Sequence, residues 1–68
     1  MIKAIVLPDK REVVFKEKRL RLREVLERLG IDDLDSVAII YNGHLIDDPD
    51  YIVESGGEVK IILQGIGG

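Results

Sequence analysis

Apolar residues change their spacing along this chain, and each change marks a different element. From Ile2 to Leu7 apolar and β-branched residues dominate, and the run stops at Pro8-Asp9-Lys10, where proline has no N–H to offer a ladder. Arg11-Glu12-Val13-Val14-Phe15 follows, with Arg11, Val13 and Phe15 sharing one face by the two-residue period of a strand. Two such runs across a short turn predict a β-hairpin. The period then lengthens. Leu22, Val25, Leu26 and Leu29 stand at i, i+3, i+4 and i+7, which predicts an amphipathic helix closed by Gly30 as a left-handed C-cap. Arg21, Arg23, Glu24, Glu27 and Arg28 take the remaining surface, and Glu24 and Arg28 form a favourable pair four residues apart. No Ser, Thr, Asp or Asn immediately precedes Leu22, so packing, with Leu20 as a staple, is expected to set where the helix begins.

Beyond an acidic connection from Ile31 to Asp35, Ser36-Val37-Ala38-Ile39-Ile40-Tyr41 predicts a strand, and Asn42-Gly43 is the strongest short turn signal in the chain. His44-Leu45-Ile46 is a short strand ended by Asp47-Asp48-Pro49-Asp50, and Tyr51-Ile52-Val53 is expected to pack across a loop before Ser55-Gly56-Gly57. Glu58 to Leu63 is the last strand, with Val59, Ile61 and Leu63 inward by alternation. The order is strand, strand, helix, strand, short strand, strand: an α+β roll with one helix across a small mixed sheet. Sixty-eight residues make one domain, whose core is marginal because so short a chain buries only roughly 60% of its extended surface.

Composition removes most catalytic chemistry. There is no cysteine, so disulfides, zinc–thiolate sites and thiol nucleophiles are excluded. His44 is the only imidazole, and Ser36, Ser55, Tyr41 and Tyr51 are the only hydroxyls. The expectation is a protein that is not an enzyme, with no catalytic side chains, no metal and no cofactor. Asp47, Asp48 and Asp50 suggest a calcium loop, but Pro49 and the lack of the downstream glycine and glutamate break that register, so turn and cap roles are expected. The net charge of −3 hides a split. Residues 1–30 hold nine Lys/Arg against five Asp/Glu (+4), and residues 31–68 hold one against eight (−7). With three aromatic residues and an acidic balance, nucleic-acid binding is not expected. No apolar run is long enough for a membrane span or a secretory leader, so no membrane association is expected and the cytoplasm is the expected compartment.

Two features point outward. Taking Ala4, Val6, Val13, Phe15, Ile39, Ile61 and Leu63 as covered by the helix, their alternates Ile5, Val14, Ile40 and Ile62 fall on an open face beside Lys60. Such a patch fits partner docking, and it also fits ordinary surface or a dimer contact. The second feature is Gln64-Gly65-Ile66-Gly67-Gly68, expected to be a flexible tail (64–68) on a folded domain (1–63).

Taken together, the opening hairpin, the Val25-Leu26…Leu29-Gly30 helix end, the Ile39-Ile40-Tyr41-Asn42-Gly43 turn and the Gly67-Gly68 terminus resemble the ubiquitin-like β-grasp family, in particular its small sulfur carriers and modifiers of the ThiS and MoaD type. The chain departs from that pattern at Ser55-Gly56-Gly57-Glu58, where such carriers often have Asp-Gly-Asp, and in lacking prolines before its final segment. The resemblance implies a β-grasp fold, ββαββ(β), and a function carried by the C-terminal carboxylate. In that family a partner adenylyltransferase, related to ubiquitin-activating enzymes, activates the terminal glycine with ATP. A sulfur donor then converts it to a thiocarboxylate, and an acceptor synthase takes the sulfur; alternatively the activated carbonyl acylates lysines of other proteins. Carried onto this sequence, the activated residues are Gly68 and Gly67; the open-face residues Ile5, Ile40, Ile62 and Lys60 given by alternation, with Gly65 and Ile66 of the tail, are the expected docking residues. Residues 64–68 could extend roughly 16 Å, enough to keep the body outside a narrow site. A non-catalytic β-grasp interaction module, its Gly-Gly ending incidental, is the third reading.

Overall fold

The computed structural model describes residues 1–64. Ile2–Leu7 (β1) and Arg11–Phe15 (β2) pair antiparallel, with Ile2 opposite Phe15 and Val6 opposite Arg11. A three-residue strand, Arg19–Arg21 (β3), runs directly into the helix Leu22–Arg28 (α1). A 3-10 turn at Leu34–Ser36 leads to Val37–Tyr41 (β4), His44–Ile46 (β5), Ile52–Glu54 (β6) and Glu58–Leu63 (β7). Five strands form a mixed sheet in the order β2-β1-β7-β4-β5, and β3 pairs with β6 in a separate two-stranded ribbon. The last strand of the chain is therefore the middle strand of the sheet, parallel to β1 and antiparallel to β4. This is the α+β roll expected from the order of elements.

The helix stripe behaves as its spacing requires. Leu22, Val25 and Leu26 are buried, with Leu29 packed at their edge, against Ile2, Ala4, Phe15, Ile39, Val59 and Ile61 of the sheet. Leu20 from β3 and Val53 from β6 are buried in the same core. The start of the helix shows why a poor capping sequence suffices. The Glu24 carboxylate accepts the Arg21 N–H at 2.9 Å. The Leu22 and Arg23 N–H groups donate to the Tyr51 and Pro49 carbonyls, both at 2.9 Å. Donors that a helix leaves without intrahelical partners are thus met by a loop almost thirty residues away, so tertiary contact replaces a side-chain cap. At the other end the Gly30 N–H bonds the Glu27 carbonyl and the Ile31 N–H bonds the Leu26 carbonyl, the paired bonds of a Schellman close, with Gly30 at φ +77.

Four expectations need correction. Arg28 does not pair with Glu24; its guanidinium meets the Glu17 carboxylate, while Glu24 accepts the Arg21 N–H. Tyr51-Ile52-Val53 does not merely cross a loop, since Ile52–Glu54 is a strand, and its partner Arg19–Arg21 is a second strand invisible to periodicity. Ser36 does not open β4; it ends the 3-10 turn, where its N–H and hydroxyl both donate to the Asp33 carbonyl. Leu63 has inward parity but is 36% exposed, because it lies past the last buried pair of the ladder, Ile39 opposite Ile61, and stands opposite the half-buried Val37 at the start of β4.

One contact outside the helix carries a clear prediction. The Tyr41 ring lies over Gly57, and its hydroxyl accepts the Glu54 N–H at 3.0 Å, fastening the β6–β7 turn to β4. A Cβ on Gly57 would stand 2.5 Å from the Tyr41 ring, inside any real contact distance. Gly57→Ala is expected to destabilise the domain by about 1–3 kcal/mol through overpacking. Denaturant unfolding measures it, and combining Gly57→Ala with Tyr41→Ala should remove most of the added cost that is due to the clash.

Candidate functional site

The face of the sheet away from α1 is built by strand register. Ile5 of β1 and Ile40 of β4 both pair with Lys60 of β7, and Leu45 of β5 pairs with Ile40. These four side chains therefore form one row, continued on the far side by Glu12, the partner of Ile5. In the adjoining row Leu7 and Ala38 pair with Ile62 from either side. Side chains alternate faces along every strand, so all of these point away from the buried core positions Ala4, Val6, Ile39 and Ile61. Ile5, Ile40 and Ile62 are half-buried, Lys60 is exposed, and Leu45 is 72% exposed. Of the five residues placed on this face from the sequence, Ile5, Ile40, Ile62 and Lys60 are neighbours, whereas Val14 stands opposite Lys3 on the edge strand β2.

Leu7, Ala38 and Leu45 join them and were not singled out. Leu45 was within reach of sequence reasoning, because a two-residue turn places Ile40 opposite Leu45 once Tyr41 faces His44. That turn has the expected form, with Asn42 at φ 50 and Gly43 at φ 84, left-handed values that glycine takes without strain. Leu7 shares the parity of Ile5, but its neighbour Ile62 depends on the parallel pairing of β1 with β7, which no local signal announces.

The face meets the terminal segment on one strand. β7 carries Lys60 and Ile62, and the ladder extends one residue past its end, where the Gln64 N–H donates to the Ser36 carbonyl at 3.1 Å. The described residues thus end on the middle strand of the sheet. Gly65, Ile66, Gly67 and Gly68, named from the sequence as docking and activation residues, lie outside the described residues.

Elsewhere the polar groups have structural duties. Asp33 caps the 3-10 turn by accepting the Asp35 N–H, and Asp48 accepts the Asp50 N–H, so both acidic clusters serve turns. The Arg23 guanidinium, 2.8 Å from Asp50, holds that carboxyl below the usual carboxylate range, and a hydrogen bond from Arg28 does the same for Glu17. Both groups stay ionised at neutral pH and are unsuited to donating a proton. Among the described residues no three His, Cys, Asp or Glu side chains gather as a metal site, and no helix is long and apolar enough to cross a membrane.

Against known proteins, no family model matches this chain, and no curated protein matches it in sequence. Its fold does match solved structures. The crystal structure of the thiamine biosynthesis protein ThiS from Geobacter metallireducens aligns over 97% of both chains at 21% identity, with a TM-score of 0.67. The solution structure of a thiamine biosynthesis protein from the same organism aligns over 97% of this chain and 86% of that one at 22% identity, with a TM-score of 0.63. The β-grasp architecture expected from the sequence is therefore shared, almost end to end, with ThiS structures.

Proposed function

We propose that this chain is a sulfur carrier, activated at the carboxylate of Gly68 by a partner adenylyltransferase and then converted to a thiocarboxylate. The observation that carries the reading is the ThiS fold over 97% of the chain, joined to a Gly67-Gly68 ending that continues from the central strand. Because the neighbours are thiamine biosynthesis proteins, thiamine formation is the destination to test first.

The chemistry explains why such a tail is useful. A terminal carboxylate with a pKa of about 3.3–3.7 is ionised at neutral pH and resists nucleophiles. In the adenylation step a carboxylate oxygen attacks the α-phosphorus of ATP and pyrophosphate leaves. The resulting acyl-adenylate has AMP as a good leaving group. Sulfide-level sulfur (HS⁻) delivered by the donor attacks the carbonyl carbon, the C–S bond forms as the C–O bond to AMP breaks, and the thiocarboxylate results. Catalysis belongs to the partner, and this chain presents a narrow, side-chain-free end to it. An acceptor synthase then removes the sulfur. The cytoplasm, where ATP and such partners occur, is the proposed compartment.

Incubation with ATP, a sulfur donor and the adenylating enzyme of the same cell tests this directly by intact-mass spectrometry. A mass gain equal to one oxygen replaced by sulfur supports the carrier reading. Adducts on the lysines of other proteins would assign the chain as a modifier instead. No change of either kind would leave it a non-catalytic interaction module.

In this reading Ile5, Ile40, Ile62 and Lys60 form the docking face, with Gly65 and Ile66 following the tail into the partner. Ile40→Thr keeps the β-branched shape and removes an apolar contact. It is expected to weaken binding to the adenylating enzyme about tenfold while costing under about 1.5 kcal/mol of stability, read by calorimetry and thermal unfolding. A stability loss on the scale of a core deletion would show that this face is covered.

A further inference from the structure

Ionic partners are unevenly distributed on the open face. The Lys3 ammonium lies 3.1 Å from Glu12 and 3.9 Å from Glu58, so one cation occupies the two carboxylates of its neighbourhood. Lys60, in the next row, forms no ion pair among the described residues. Register places it between Ile5 and Ile40, with Ile62 two residues further along the same strand. Beside it opens a shallow hollow lined by Ile40, Asn42, Gly43, Glu58 and Lys60.

In the free protein water solvates this ammonium. A partner covering the apolar residues would strip that water, and a desolvated ammonium without a counter-charge is heavily penalised. A lysine often escapes by extending its stem to the rim of an interface. Lys60 sits on the middle strand of five, two strand spacings of about 4.8 Å from either lateral edge, so its stem cannot cross to one and the way open to it is the hollow at the Asn42-Gly43 turn. Glu58 borders the hollow but is turned to Lys3.

We infer that the adenylating partner presents an Asp or Glu side chain to this hollow, paired with Lys60 and ringed by apolar residues that meet Ile5, Ile40, Leu45 and Ile62. The inference rests on the sulfur-carrier reading and deepens it, since it names what the partner must display. Lys60 is then the residue that admits an apolar surface bearing a carboxylate and rejects one bearing a cation.

ATP–pyrophosphate exchange by the adenylating enzyme of the same cell, with this chain as the varied substrate, tests it. Lys60→Met is expected to raise KM about tenfold with kcat unchanged, because the partner's carboxylate is left buried and unpaired. Lys60→Glu should raise KM about 100-fold through like charge, and Lys60→Arg should stay within about threefold of the unaltered chain. All three should melt as the unaltered chain does. A KM for Lys60→Met equal to or below that of the unaltered chain overturns the inference alone, and assigns the face to a purely apolar surface. Concentration-dependent dimers of the free chain that Lys60→Glu abolishes assign the face to a second copy and overturn it too. No exchange with the unaltered chain overturns the carrier reading together with this one.

Discussion

Deletion of Gly68, or replacement of Gly67 by phenylalanine, is expected to abolish ATP-dependent activation while leaving the domain folded. The fold should survive because, among the described residues, every buried hydrophobic residue lies between Ile2 and Ile61 and the ladder is followed as far as Gln64. Activation should not survive, because in the proposed adenylation the attacking atom is an oxygen of the terminal carboxylate. Removing one residue withdraws it by roughly 3.3–3.6 Å. A misplacement of about 1 Å can already cost 100-fold in rate, so such a retreat takes the carboxylate out of reach of the α-phosphorus. At position 67 the obstacle is width: an aromatic ring adds bulk and limits φ/ψ where the partner's channel is narrowest. ATP–pyrophosphate exchange and thermal unfolding, measured on the same samples, separate the two effects. Undiminished exchange after either change would remove the tail from the mechanism.

The largest effect on stability is expected one strand position from the proposed docking face. Ile61 is wholly buried at the centre of the sheet, opposite Val6 and Ile39, whereas Ile62 beside it faces outward, opposite Leu7 and Ala38. Ile61→Ala removes three carbons from the packed core and should cost about 2–5 kcal/mol, counting the cavity left behind. At about 0.05–0.15 kcal/mol per residue the whole domain has roughly 3–10 kcal/mol, so the variant should be largely unfolded or melt far lower. Ile62→Ala, a neighbour of identical chemistry, should cost under about 1.5 kcal/mol and instead weaken partner binding. Denaturant titration of the pair measures the difference. Equal losses would mean that both faces of the sheet are covered.

Much of the architecture could be read from local patterns. The Ile2–Leu7 and Arg11–Phe15 hairpin, the Leu22-Val25-Leu26-Leu29 stripe and the Asn42-Gly43 turn each announce themselves within a few residues. Alternation also assigned Ile5, Ile40 and Ile62 to the outer face. What escaped was short or distant. Arg19–Arg21 and Ile52–Glu54 are three residues each, too brief for a period, and they pair across more than thirty positions. The helix start looked uncapped because its acceptors, the Pro49 and Tyr51 carbonyls, belong to a remote loop. Leu63 followed its parity yet remained exposed, since parity gives direction but not whether anything lies there to cover it.

The amino-acid order alone determined the type and sequence of the main elements, the absence of thiol chemistry and the glycine-rich ending, because each rests on neighbouring residues or on composition. Only the tertiary structure decided that β7 is the central strand, parallel to β1. That single pairing sets Ile5, Lys60 and Ile40 side by side and puts Leu63, the last residue of β7, on the middle strand of the sheet. Strand order arises from burying every apolar face at once, a condition on the whole chain that no short stretch of it encodes.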